Sequence, residues 1–272
     1  MKHTLAAALL FVHTPWTTPP PGAVSYGPDV EQYIVPCLPA GSGLHYGLLI
    51  VHGGAWIGEG TGLDVEACGL AAAAGLVGLD VHYRLAKPAG AAYWPTQMQD
   101  LEAAIAAVQN PYLPIAGHVV QTPKFCAMGF SAGGHLVGML GAKGRLACVV
   151  TNSGPTDMIA IQNAPLQAKF GHYVLSDAPM PSSCAIPDHD WCVSSPVYVL
   201  QPSQTPWWLE YGQYDAVVPP QQTLELADAL GSYAELHSYP GGHVFNSLPP
   251  GAATAIMNAE MQWVLGAYGV TP

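Results

Sequence analysis

The pentapeptide Gly129-Phe130-Ser131-Ala132-Gly133 sets a serine between two glycines, where the β-forming residues 125–128 give way to a helix-permissive stretch from Ala132. A turn tight enough to join strand to helix there holds the serine in strained geometry with its hydroxyl projecting, and a Cβ at either flank would meet neighbouring backbone. Such a hydroxyl is a candidate nucleophile for a carbonyl carbon. At neutral pH it needs a base for its proton, a group to orient that base, and donors for the oxyanion. His243 lies on the Gly-rich stretch 240–245 after a β-forming run, and Asp215 lies just past another in 211–219. His52-Gly53-Gly54-Ala55-Trp56 follows a third, and its adjacent glycines let backbone N–H groups approach a developing negative charge. The expected oxyanion donors are the amides of Gly54, Ala55 and Ala132, with His52 bracing the loop rather than touching substrate. Asp188, Asp190 and Asp228 rival Asp215, which alone combines a strand end with a place between Ser131 and His243 in the chain.

Positioning these groups requires a sheet. Residues 44–51, 76–82, 124–129, 146–151, 207–211 and 234–239 read as short strands, most nearly continuous in apolar residues, as expected when both faces are covered. Helix-like segments at 63–74, 97–109, 135–141, 221–230 and 252–265 alternate with them, which predicts an α/β fold with a mainly parallel sheet and helices on both faces. Residues 30–35 are expected to add an edge strand. The candidate nucleophile, base and orienting acid then all sit at carboxyl ends of strands, where open α/β sheets place their sites.

Half of the residues are hydrophobic and 9% are charged, so a chain of 272 residues can bury a large core as one domain over 24–272. A net charge of −11 with seven Lys plus Arg would repel a polyphosphate, which excludes nucleic acid as a partner. Residues 155–199, rich in Pro, Ser, Asp and Gln, separate two strands by more than an ordinary connection and read as a small cap insertion over the site. Residues 1–23 begin with Lys2, carry an apolar run from Leu5 to Val12 and turn Thr/Pro-rich, either as a signal peptide or as an N-terminal arm. Export is the favoured expectation and a cytoplasmic location the alternative. No stretch reaches the roughly eighteen apolar residues of a membrane span, so no integral membrane association is expected.

Of six cysteines, Cys126 and Cys148 fall in apolar runs and are expected to be buried thiols, packing as small hydrophobes. Cys184 and Cys192 bracket a polar loop and form a possible disulfide if the chain is exported, but remain thiols in a reducing compartment. Trp56, Tyr93, Trp94 and Tyr214 serve either an apolar substrate pocket or packing, while Trp207 and Trp208 are assigned to the core. Arg84 is expected to pair internally with Asp80 or Asp100. His172, Asp188, His189 and Asp190 match no ligand spacing, so neither a metal nor an organic cofactor is expected.

The motif 52–56, the run Val81-His82-Tyr83-Arg84-Leu85-Ala86, residues 129–134, Ser153-Gly154-Pro155-Thr156-Asp157, Ser195-Pro196 and 215–219 together resemble the α/β-hydrolase esterase/lipase superfamily. The resemblance covers roughly residues 40–265 and is nearest to carboxylesterases around the bacterial feruloyl and acetyl-xylan esterases and the HGGxW kynurenine formamidases. Ala55 stands where hormone-sensitive-lipase-type esterases carry a third glycine, and fewer than about 50 residues precede that strand, which points to smaller, secreted-type esterases. The resemblance implies the α/β-hydrolase fold, a Ser131, Asp215, His243 triad, and cleavage of a small-molecule carboxylic ester. An aryl formamidase is the alternative chemistry, and a non-catalytic ligand-binding protein on the same fold the alternative class.

Overall fold

Leu48, Leu49, Ile50 and Val51 have no exposed surface, and they alternate between two apolar clusters: Leu49 and Val51 enter one, Leu48 and Ile50 the other. Successive strand residues point to opposite faces, so this strand is covered on both sides. The structure, a computed structural model, describes residues 18–87, 93–161, 163–184 and 190–270. Most of the expected leader, residues 1–17, and the polar positions Asp188 and His189 lie outside the described residues.

The strands are β1 (Val24–Ser25), β2 (Tyr33–Cys37), β3 (Gly47–Val51), β4 (Val77–His82), β5 (Cys126–Phe130), β6 (Cys148–Asn152), β7 (Trp207–Gly212) and β8 (Ala234–Tyr239). They form one sheet in the order β1-β2-β4-β3-β5-β6-β7-β8; β1 and β2 pair antiparallel, as do β2 and β4, and all other neighbours are parallel. The expected edge strand at 30–35 is displaced to Tyr33–Cys37, and β1 rather than β2 forms that edge. Helices α2 (Thr96–Val108), α3 (Ala132–Ala142) and α7 (Pro220–Leu230) send Leu101, Leu136 and Leu226 into one cluster. From the opposite face, α1 (Leu63–Ala73) and α8 (Ala252–Ala267) bury Ala67, Ala71, Met257 and Met261 in the other. This is the α/β-hydrolase architecture.

Among the described residues between β6 and β7 lie three short helices, α4 (Ala164–Lys169), α5 (Asp190–Val193) and α6 (Pro196–Val199), with a π-turn at Phe170–Val174 following α4. Phe170 is fully buried and meets Trp56, His135 and Trp191 edge-on. The Asn163 side chain caps α4 and also donates to the carbonyls of Ala216 and Val217, which ties the insertion to the loop that carries Asp215. The segment is therefore packed on the body of the domain.

All six cysteines are paired: Cys37–Cys68, Cys126–Cys148 and Cys184–Cys192. The expectation that Cys126 and Cys148 are free thiols is thus corrected. Each sits in an apolar strand as a small hydrophobe would, but β5 and β6 pair with Cys126 directly opposite Cys148, their Cα atoms 4.4 Å apart. Register puts both sulfurs on one face, and nothing local to either segment encodes that.

Candidate active site

Ser131 follows β5 and precedes α3 with φ 52° and ψ −115°, a left-handed geometry that a non-glycine residue holds only when its surroundings enforce it. Its N–H donates to the Asn152 carbonyl (2.8 Å), and its carbonyl accepts from His135 N–H (2.9 Å). The flanking glycines have no room for a side chain. A Cβ on Gly129 would stand 2.3 Å from the Gly133 carbonyl oxygen, and one on Gly133 would stand 2.1 Å from that of Val51.

The three residues expected to act in concert lie together. His243 Nε2 is 2.8 Å from Ser131 Oγ, and His243 Nδ1 is 2.8 Å from Asp215 Oδ2. Asp215 Oδ1 accepts from the N–H groups of Val217 and Val218, both at 2.8 Å. With Nδ1–H donating to the carboxylate, Nε2 is the lone-pair nitrogen facing the serine hydroxyl. Access is graded: the Asp215 side chain is wholly buried, that of His243 is 16% exposed, and Ser131 is intermediate. Of the rival acids, Asp228 lies within α7 and Asp190 opens α5.

The loop after β3 presses against Ser131. A Cβ on Gly53 would meet Phe130 O at 2.9 Å and Ser131 Cβ at 3.3 Å, and Gly54, Ala55 and Trp56 all have positive φ. His52 Nδ1–H donates to the Gly53 carbonyl (2.7 Å), its ring stacks on Tyr83, and burial holds its pKa down to about 4. Ala132 opens α3, so its N–H has no acceptor one turn back and is free for an anion at the positive end of the helix. A cavity of about 280 Å³ opens beside His243, lined by Tyr214, Val217, Gly242, Asn246 and Ser247 among others.

The supporting residues were largely silent in the sequence. His135 is buried, accepts from Trp56 Nε1 (3.2 Å) and donates to Ser194 O (2.6 Å), so burial lowers its pKa to about 4 and it stays neutral. Trp56 is accordingly a packing residue, and Trp94 lies partly buried beside His135. Tyr239, pushed up to about 12 by burial, accepts from Phe245 N–H and donates to Gly242 O, bracing the His243 loop. Tyr214 is 73% exposed at the cavity rim, Trp207 is core, and Trp208 stacks on His237. Arg84 pairs with Asp100, whereas Asp80 faces His82. The one local signal for the bracing was Gly134-His135 directly after the serine motif.

A carboxyl pair lies one step behind Ser131. Asn152, whose carbonyl receives Ser131 N–H, donates from its side chain to Glu260 Oε1 (3.0 Å), and Glu260 shares a hydrogen bond with Glu210. Burial first, then the Glu210 charge, raises the pKa of Glu260 well above its ordinary value, so the pair holds a proton. Because the folded pKa is the higher one, this group favours folding fully below the unfolded value of about 4.5, and the advantage is lost as pH rises through the folded value. Glu260→Gln keeps the bonding atoms without the charge. Its melting temperature relative to wild type should therefore climb between pH 5 and pH 9 by at least roughly 2–4 °C, the shift that about 1 kcal/mol produces at this size. Parallel melting curves across that range would refute the shared proton.

The BD-FAE family model matches residues 38–230, about 70% of the chain. The chain belongs to the BD-FAE family. Among solved structures, a truncated carbohydrate esterase from gut microbiota superposes with TM-score 0.75 at 19% identity, covering 95% of this chain and 97% of that one. An acetyl ester-xyloside bifunctional hydrolase from Caldicellulosiruptor lactoaceticus gives TM-score 0.73 at 18% identity, covering 94% and 99%. A thermophilic esterase from Thermogutta terrifontis gives 0.72 at 16%, covering 93% and 95%. Among curated proteins none matches. This BD-FAE chain thus has the α/β-hydrolase fold of an esterase-type hydrolase, and among its described residues no helix is long and apolar enough to cross a membrane.

Proposed function

We propose that the protein is a serine hydrolase cleaving carboxylic esters, short-chain or aryl, through an acyl-enzyme intermediate. The observation that carries this reading is the unbroken chain from Asp215 Oδ2 through His243 to Ser131 Oγ, each link 2.8 Å. Ser131 Oγ attacks the ester carbonyl while His243 Nε2 takes its proton, and Asp215 stabilises the imidazolium through Nδ1–H. The amides of Gly54, Ala55 and Ala132 receive the oxyanion, each donor contributing about 2.7–4 kcal/mol in the transition state. His243 returns its proton to the departing alcohol, and the same histidine activates the water that releases the acid. No step in this sequence calls for a cofactor.

Residues 155–199 act as the cap over the substrate, a role supported by the link from Asn163 to the Asp215 loop and by Phe170 against Trp56. Export, with residues 1–23 as the leader, is supported by the pairing of all six cysteines, since such bonds persist in oxidising compartments. The test compares p-nitrophenyl acetate, p-nitrophenyl octanoate, methyl ferulate, an acetylated xylo-oligosaccharide and N-formylkynurenine. Acetyl or feruloyl esters should exceed octanoate in kcat/KM by about tenfold or more, the discrimination a short pocket provides against surplus methylenes. A preference for N-formylkynurenine would make the protein a formamidase. No turnover, together with no fluorophosphonate labelling of Ser131, would make it a binding protein.

A further inference from the structure

β4 carries Asp80 and His82 two residues apart, hence on one face of the strand, and Asp64 enters beside them from the first turn of α1. One donor atom from each of Asp64, Asp80 and His82 lies within 4.8 Å of the others, and all three residues are buried or nearly so. Glu59 adds a third carboxylate, its Oε1 3.6 Å from His82 Nδ1. The basic residues nearest in sequence are engaged elsewhere, Arg84 with Asp100 and Lys87 with Glu31. Three carboxylates thus surround one imidazole with no lysine or arginine among the described residues paired to them, an arrangement that a buried site tolerates only with a further cation or a bound proton.

Two independent observations point to a ligand. Asp80 is 2% exposed, and its Oδ1 is buried without a hydrogen-bond partner. His52 is 1% exposed; its Nδ1–H is used by Gly53 O, which leaves the lone pair on Nε2, and that atom also is buried without a partner in a ring 5.2 Å from that of His82. The His82 Nε2 to Asp80 Oδ2 separation of 3.5 Å is long for a hydrogen bond. It equals the edge of a tetrahedron whose metal–ligand bonds are about 2.0–2.2 Å, roughly 3.3–3.6 Å.

We propose that Asp64, Asp80 and His82 bind a divalent cation of the zinc class, with the Glu59 carboxylate and the His52 ring at the margin of the site. An imidazole with two carboxylates suits zinc better than calcium, which collects six to eight oxygens. The ion is structural. It ties the first turn of α1 to β4, beside the His52 ring of the loop that bears Gly53 and Gly54, and so buttresses the proposed oxyanion donors against Ser131. Positions 64, 80 and 82 follow no ligand spacing, because two separate segments supply them.

The full chain, stripped with a chelator and dialysed, is titrated with zinc chloride and assayed by elemental analysis, calorimetry and thermal melting. One equivalent should bind, and at a hundredfold excess over Kd the melting temperature should rise by roughly 5 °C or more. Asp80→Asn and His82→Gln should each weaken binding by about 100-fold or more and abolish that rise. Should these variants fail to fold, cobalt(II) added to the wild-type chain supplies the second measurement, with a tetrahedral visible band displaced by zinc. Failure to bind zinc or cobalt at millimolar concentration, stoichiometric binding unchanged in folded variants, or preferential binding of calcium would each overturn the proposal. These readouts do not depend on turnover, so they stand or fall separately from the esterase reading.

Discussion

Ser131→Ala is expected to lower kcat by about 10⁵–10⁶-fold, leaving only what oxyanion donors and binding supply, about 10³–10⁴-fold over water. The fold should survive it. The bonds that hold position 131 in place are made by its backbone, Ser131 N–H to Asn152 O and His135 N–H to Ser131 O, and neither needs the hydroxyl. Gly129 and Gly133 still provide the tight turn. The loss should therefore appear in kcat, with an unchanged melting temperature and no labelling by a fluorophosphonate. A variant retaining more than about one hundredth of wild-type kcat would remove Ser131 from the mechanism, since two decades is far less than deletion of a nucleophile costs.

Asp215→Asn should lower kcat by about 10⁴-fold while KM changes little. The reason lies in the two oxygens of the carboxylate. Oδ1 is committed to Val217 and Val218 N–H, so an asparagine there keeps its carbonyl oxygen on those donors and turns its NH₂ toward His243. His243 Nδ1 must then accept instead of donate. That places the ring proton on Nε2, facing Ser131, and the base has no lone pair for the hydroxyl 2.8 Å away. Substrate contacts are untouched, which separates this outcome from a general collapse of the site. A fall of less than tenfold in kcat would make Asp215 a turn-forming residue and transfer the orienting role to another group.

These two predictions rest on residues that local sequence signals could find. The turn at Ser131 needs glycine at both flanks, and that requirement is written into five consecutive positions. His243 and Asp215 each follow a strand whose apolar run is visible by itself, and the chain order of the three residues narrows the choice further. The same locality explains why β2 to β8 lie within a few residues of their expected positions, while β1 at Val24–Ser25 has no apolar run to announce it. β2 pairs antiparallel at the outer side of a parallel sheet, and its partners, β1 and β4, are chosen by contacts remote in sequence.

The chain by itself therefore determined an alternating α/β order, a buried two-faced sheet, and the strand-end places of Ser131, Asp215 and His243. All of these follow from periodicity and turn sterics acting within a few residues. Tertiary structure decided what depends on register and on which helix packs where. It set Cys126 opposite Cys148, committed Trp56 to His135, and brought Glu260 of α8 to Asn152 and Glu210. It also gathered Asp64 from α1 with Asp80 and His82 from β4. A buried polar atom is satisfied by whatever the fold brings to it, and over such separations in the chain no local pattern records which partner that will be.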